Sequence, residues 1–432
     1  MRVIVSLHIM LFTALQSYAI ADESQNNLNE LQEQFSKLTE QVEKANIRIG
    51  ELEQKLSDKK EVRVVIAGDI RNSIKLPDSD TSVAAGGYIK MDILVNSISA
   101  GTDKKGNQSL YIPDIPVGTN RIGKEEQISM HAKSSRFWFR TFTTSKFGDV
   151  NTLIEFDMFA SSTTYAPRLR HAFGSIGNFL AGQTWTTFTN SSVIPEHLDS
   201  GTPVGDIILR QSQLRWTKPI VGNSLDLMMA LEMPLSKITK EGESGIITSS
   251  SEPYPDIVLR LNGNYDWANL SLATMCRKIS ISDAAGLNEQ KWGGAIGISG
   301  KINTFELDNL RFMFNYGNAL ARYVTSGAYA DAALNLTGEM DLITLSSGML
   351  SYQHFWSDTL RSTASLSYSN ADLPNYVSNE LTKEAHSIHV NLLWNLLPKV
   401  MVGMEYIYAN RKLQDGQEGD LKRLQLATRF NF

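Results

Sequence analysis

The chain has one cysteine, Cys276, among its 432 residues. A lone thiol excludes an intramolecular disulfide framework and a Cys-rich metal centre. Long apolar runs are also missing. Beyond the N-terminus no uncharged apolar stretch reaches the roughly 18 residues that a membrane-spanning helix requires. Excess charge of one sign is missing too: 41 Lys and Arg stand against 46 Asp and Glu, for a net charge of −5. That balance excludes a nucleic-acid binder, which needs a basic surface. No G-x-S-x-G, H-E-x-x-H or P-loop pattern occurs, so neither an enzyme nor a cofactor is expected. No metal site is expected either. His386 and His389 fall on opposite faces of a strand, and His354 sits among Phe355 and Trp356, where it reads as a girdle residue.

What the chain does have is alternation. In the last segment Leu424, Leu426, Thr428, Phe430 and Phe432 share one face, while Arg423, Gln425, Ala427, Arg429 and Asn431 share the other. Period-2 patterning is how a strand meets lipid on one side and water on the other. The pattern recurs. Ile89, Met91, Ile93 and Val95 oppose Tyr88, Lys90, Asp92 and Asn96; Leu225, Leu227, Met229 and Leu231 oppose Ser224, Asp226 and Glu232. Ile388, Val390, Leu392 and Trp394 oppose His389, Asn391 and Asn395. Charges confined to one face suit a watery lumen and not the packed core of a sandwich. Trp267, Tyr352, Phe355, Trp356, Trp394 and Tyr408 collect at segment ends, as interfacial girdles do. The mean hydropathy of −0.20 fits a barrel, in which every second residue faces water. The expected fold is all-β: a transmembrane antiparallel β-barrel of roughly sixteen strands over residues 81–432, wide enough for an aqueous channel. Phe430 and the terminal Phe432 read as the C-terminal signal of such a barrel.

Three segments precede it. Residues 1–21 read as a signal peptide, with Arg2, an apolar stretch and Ala19-Ile20-Ala21 before Asp22. Removing them takes one positive charge, so −5 becomes −6. Residues 22–58 carry unbroken heptads, with Leu28, Phe35, Val42, Ile49 and Leu56 at a, and Leu31, Leu38, Ala45 and Leu52 at d. That 3-4 spacing predicts an α-helical coiled coil and an oligomer. Arg48 at g reaches toward Glu53 at the next e of a neighbour. The a/d residues do not separate dimer from trimer, and the alternative is a single helix lying on the barrel. Residues 59–80 form a connector that breaks at Pro77-Asp78-Ser79-Asp80.

Two features of the polar face carry chemistry. Arg136, Arg140, Arg168, Arg170 and Arg215 are the candidate anion-binding residues, since guanidinium forks grip carboxylates bidentately and stay charged. In a lumen such a cluster draws in small anions. The alternative is that they pair with Glu155, Asp157 and Asp92 to brace the wall. His171 follows Arg170 and takes the opposite parity. The second feature is the long stretch 189–206, which carries Pro195, Glu196, His197, Asp199 and Pro203. It is expected to fold inward as a constriction loop, setting Glu196 and Asp199 against the arginines. The alternative is an ordinary extracellular loop.

At these residues the chain resembles the DcaP-like outer-membrane porins, from residue 76 to 432. The matching stretches include Gly86-Gly87-Tyr88-Ile89-Lys90-Met91-Asp92, Ser135-Arg136-Phe137, Arg170-His171-Ala172-Phe173 and Gly182-Gln183-Thr184-Trp185-Thr186-Thr187-Phe188. They continue with Pro195-Glu196, Arg210-Gln211, Tyr352-Gln353-His354-Phe355-Trp356, Gly403-Met404-Glu405-Tyr406 and the terminal Phe430-Asn431-Phe432. The resemblance implies a homo-trimeric sixteen-stranded channel in the bacterial outer membrane, with a periplasmic coiled coil. It also implies passive passage of small anions, dicarboxylates among them. The chain departs from the family at Trp138, where a smaller residue is expected, and at Ala409-Asn410, where a Gly is expected. The rival readings are a structural or adhesive barrel with no transport role, and a membrane hydrolase, for which no nucleophile system is found.

Overall fold

The computed structural model describes residues 25–58, 66–98, 108–118, 126–249, 252–282, 288–318, 320–324 and 327–432. The expected signal segment, and residues 59–65 of the connector, lie outside the described residues. The chain divides into two units, Met1–Val65 and Ile66–Phe432.

In the first unit α1 spans Gln25–Asp58, 34 residues. Glu33–Lys37 and Glu40–Lys44 make i,i+4 ion pairs at 2.7 Å. Such exposed pairs each add only a few tenths of a kcal/mol, roughly 0.3–0.5. The helix needs burial of its apolar seam, yet Leu31, Leu38, Ile49 and Leu52 are each more than half exposed. The side chains of Leu28 and Leu56 lie outside the described residues.

In the second unit sixteen strands form a closed antiparallel barrel. They are β1 Thr81–Ile98, β2 Gln127–His131 continued by Arg136–Thr143, β3 Val150–Asp157, β4 Arg168–Ile176, β5 Phe179–Trp185, β6 Arg210–Val221, β7 Leu225–Glu232 and β8 Asp256–Asn264. The series continues with β9 Ala268–Ser282, β10 Asn288–Asn303, β11 Asn309–Gly317, β12 Thr344–Phe355, β13 Leu360–Asp372, β14 Thr382–Leu397, β15 Val400–Leu413 and β16 Glu418–Asn431. The hydrogen-bonded sheet has 18 pieces; the two-residue piece Ile74–Lys75 and the break within β2 account for two, leaving 18 − 2 = 16. Closure comes where β1 pairs with β16 from Tyr88↔Asn431 to Ile98↔Lys422, and with β2 on its other edge. A closed sheet has no edge, so every strand's backbone groups find partners.

Why these strands face as they do is plain in β16. Leu424, Leu426 and Phe430 are exposed, whereas Arg423, Gln425 and Ala427 are buried. Apolar outside and polar inside inverts a soluble fold and matches a barrel in lipid. One rim carries short turns. Gly177-Asn178 joins β4 to β5, and Gly177 takes φ +53°, the conformation a two-residue hairpin needs. The other rim carries the long connections.

Those long connections fold into the lumen and alter the expected open bore. Leu110, Ile112 and Ile115 from the β1–β2 connection, Val193, Val204 and Ile207 from the β5–β6 connection, and Leu320, Tyr323, Val324 and Tyr329 from the β11–β12 connection are all buried. They pack against inward residues of the wall, among them Val258, Met275, Met313, Met349, Ile407 and Leu421. The β7–β8 and β11–β12 connections also add a four-stranded sheet of their own. An apolar cluster therefore lines much of the β7–β15 side of the lumen, beside a buried network in which Arg277 and Arg322 pair with Asp256 and Asp331. The cavity that carries the charge is bounded chiefly by the other side.

Candidate functional site

The charged side of the lumen is built on β1 to β6 and the terminal β16. A cavity of about 410 Å³ lies there, bordered by Lys90, Arg136, Arg168, Arg170, Arg210 and Arg429 and by residues 194–203 of the β5–β6 connection. Register puts Arg136 beside Tyr88, with its guanidinium 5.5 Å from the ring centre. Arg136 Nε is 3.4 Å from Glu155 Oε1. Arg170 Nε donates to Glu155 at 2.9 Å, and Arg170 Nη1 donates to Asp157 at 2.7 Å. Arg168 grips the same Asp157 bidentately at 2.9 and 2.7 Å. Three arginines thus share two carboxylates, which braces the wall and still leaves one positive charge over.

A bulge makes this arrangement possible. The β3–β4 register shifts between Glu155 and Phe156, so β4 holds one extra residue there. Arg170 and His171 consequently both turn inward, against the strict alternation expected for neighbours. His171 is buried, with Nδ1 3.0 Å from Thr184 Oγ1 and its ring edge-on to Trp185.

The other two arginines singled out from sequence do not border this cavity. Arg140 lies over Trp138 at 5.4 Å and reaches the Arg71 carbonyl. Arg215 pairs in register with Leu180 and Ala230. Trp138 itself packs over Gly86, at which any Cβ would strike the indole. It lies along the wall, which accommodates the bulkier residue.

Two further cations border the cavity. Arg210 stacks on Trp185 at 4.5 Å and Arg429 on Tyr88 at 5.4 Å. Among the described residues neither has a carboxylate within ion-pairing distance. The signal for Arg429 was present in the polar parity of β16; Arg210 sits at the first residue of its strand, where parity says little. Lys90, also on this wall, is neutralised by Asp92 at 2.7 Å.

The connection 189–206 does run inward, anchored on the opposite wall. Asn190 Nδ2 donates to Asn269 at 2.8 Å, and Arg311 Nη1 donates to the Ile194 carbonyl at 2.7 Å. The Leu198 amide donates to Glu405 at 2.6 Å, and the Gly205 amide donates to Ser367 at 2.8 Å. Gly205 approaches the backbones of Gly348 and Tyr368 too closely for a side chain. Glu196 and Asp199 border the same cavity as the arginine wall, but their direct ion partners are other cations. Glu196 takes a two-pronged bond from Arg361 on β13, at 2.6 and 2.5 Å. Asp199 accepts from the Leu110 amide at 2.8 Å and faces Arg423 at 4.0 Å. Glu196 thus pairs across the lumen with β13 and Asp199 with Arg423 on β16, where bidentate and backbone donors are available.

Burial tunes these loop groups. It works to raise Glu196, but the Arg361 fork overrides it and holds the carboxyl below its usual range. Burial pushes Asp206 up to about 8, so that side chain is largely protonated at neutral pH. His197 is pushed down to about 3 by burial and is neutral. Of the six cations bordering the cavity, Lys90 is paired with Asp92 and three arginines share Glu155 and Asp157, which leaves 6 − 3 = 3 positive charges, while Glu196 and Asp199 are met by Arg361 and Arg423. The field inside is positive.

A family model described as DcaP outer membrane protein matches residues 11–432. The chain belongs to that family. It is an outer-membrane β-barrel of the porin class, as the lipid-facing and lumenal faces require. The fold is similar to the outer membrane channel DcaP of Acinetobacter baumannii, with TM-score 0.71, 18% identity, and coverage of 85% of this chain and 100% of that one. It is also similar to the anion-selective porin from Comamonas acidovorans, with TM-score 0.56, 12% identity, and coverage of 82% and 100%. The trimer form of OmpT from Vibrio cholerae gives TM-score 0.51 at 10% identity, over 82% and 100% of the two chains. No curated protein matches the sequence.

Proposed function

We propose that this DcaP-family barrel is a passive channel preferring small anions, dicarboxylates among them. The observation that carries the reading is the pair Arg210 and Arg429, charged and without carboxylate partners among the described residues, on one lumenal wall. Fixed guanidiniums in a confined lumen lower the barrier for anions and raise it for cations. A solute with two carboxylates gains from two separated guanidiniums, each fitted to a bidentate contact. Arg136, Arg168 and Arg170 extend the positive field, with Arg140 and Arg215 further along the path. The loop bearing Glu196, His197 and Asp199 supplies the size limit. The Comamonas porin of similar fold is described as anion-selective, which agrees with this reading.

The same reading assigns 1–21 to export, 22–58 to a periplasmic coiled coil, 59–80 to a connector and 81–432 to the barrel. The exposed apolar seam of α1 finds burial in a homo-trimer, the state named for the Vibrio barrel. A closed barrel serving as a structural anchor is the second reading, favoured by the apolar core that the inward connections build.

Swelling of proteoliposomes in isosmotic succinate, a neutral polyol of similar size, and 1,4-diaminobutane tests both. The channel reading predicts succinate fastest and the diamine slowest. Fastest entry of the diamine contradicts anion preference, and no swelling in any solute supports the anchor.

A further inference from the structure

The constriction loop meets the wall at an unusual trio. His197 on the loop, His389 on β14 and Glu405 on β15 each offer one donor atom, and these atoms lie within 4.8 Å of one another. We propose that His197, His389 and Glu405 bind one divalent transition-metal ion of zinc's class, which clips the loop to the barrel wall.

Two observations support it. His389 Nδ1 and Glu405 Oε1 are 3.2 Å apart. Two ligands on a tetrahedral ion with bonds of about 2.0–2.1 Å stand about 3.3 Å apart. An ion between them replaces the proton that they share. Second, His197 is oriented from behind. Ser365 Oγ donates its hydrogen to Ser351 at 2.8 Å, so it accepts from His197 Nε2, also at 2.8 Å. His197 Nε2 therefore carries the hydrogen, and Nδ1 keeps a free lone pair. Holding the outer nitrogen by a hydrogen bond is how proteins present an imidazole to a metal. The His389 ring is fully buried, and Nδ1 is the nitrogen it turns toward Glu405.

The donor set chooses the ion. Two imidazoles and one carboxylate suit zinc, nickel or copper, whereas calcium and magnesium demand oxygen ligands. Entry is available because His197 borders the lumenal cavity. The two rings lie parallel, 4.6 Å between centres and 6° between planes. Parallel rings send their lone pairs side by side, so an ion must tilt His197 out of the stack. Because His197 rides on the loop, binding is coupled to loop position.

The test is zinc binding to the full-length protein in detergent, by calorimetry and by metal analysis after dialysis. One zinc per chain is expected, with the affinity falling about tenfold or more in His197→Ala and in His389→Ala. His354→Ala, whose histidine sits on Asp308 instead, keeps the wild-type affinity. Heat-modifiable gel migration verifies that each variant is folded, and should His389→Ala fail there, the loop variant His197→Ala decides alone. Absence of stoichiometric zinc, or wild-type affinity in folded His197→Ala, overturns the site.

Discussion

Arg429 lies over the Tyr88 ring at 5.4 Å, across the seam where the last strand closes on the first. The ring offers its negative face and no counter-charge, and Glu196, the nearby carboxylate that feels this guanidinium, is already gripped by Arg361. Arg210 on Trp185 repeats the arrangement further round the wall. Both are therefore expected to count for more than the arginines that already hold carboxylates.

Arg429→Ala and Arg210→Ala should each lower the anion-to-cation permeability ratio by roughly fivefold, the factor for about 1 kcal/mol of screened interaction. Arg168→Ala should change it less, because its charge is spent on Asp157. Bi-ionic reversal potentials check the order. Equal effects of all three would mean that pairing is irrelevant.

Glu196→Gln removes a negative charge and frees Arg361 from its only described carboxylate. Anion preference should rise, while the loop loses an anchor and current noise increases. Arg361→Ala should shift the preference the opposite way. Single-channel recording of the two variants reads both effects, and a fall in anion preference for Glu196→Gln would count against the loop's place in the path.

Asp206 supplies a pH dependence of known sign. Its carboxyl titrates near 3.8 when unfolded and about 8 in place. The folded protein therefore holds a proton that the unfolded chain releases. Stability from this group is full below about pH 4 and is lost as pH rises to about 8. Apparent unfolding temperatures between pH 5 and 9 should fall for the wild type and stay flatter for Asp206→Asn. Parallel profiles would remove Asp206 as the cause.

The α1 seam predicts assembly. Leu38→Asp with Leu52→Asp places charges at two d positions and should abolish coiled-coil pairing. Crosslinking within α1 should fall to background while the barrel still folds. Undiminished crosslinking would show that the helix does not associate through this face.

Much of the barrel was legible because a lipid-facing strand must alternate: β16 could be assigned inward and outward residue by residue. Sixteen strands follow from counting such segments. The interior was less legible. Arg170 and His171 both face inward because a bulge suspends the alternation, and sequence parity cannot see a bulge. Glu196 finds Arg361, and His197 finds His389, through contacts between residues far apart in the chain. The apolar core that Leu110, Ile112 and Ile115 form with Leu320 and Tyr323 has no period at all. Connections pack in three dimensions and follow no strand or helix repeat.

On the proposed function, the lumen's positive wall sets what passes. The most direct measurement is the zero-current potential of the purified protein in a planar bilayer under asymmetric KCl. The expected sign is that given by chloride permeating faster than potassium. A potential of the opposite sign would contradict it.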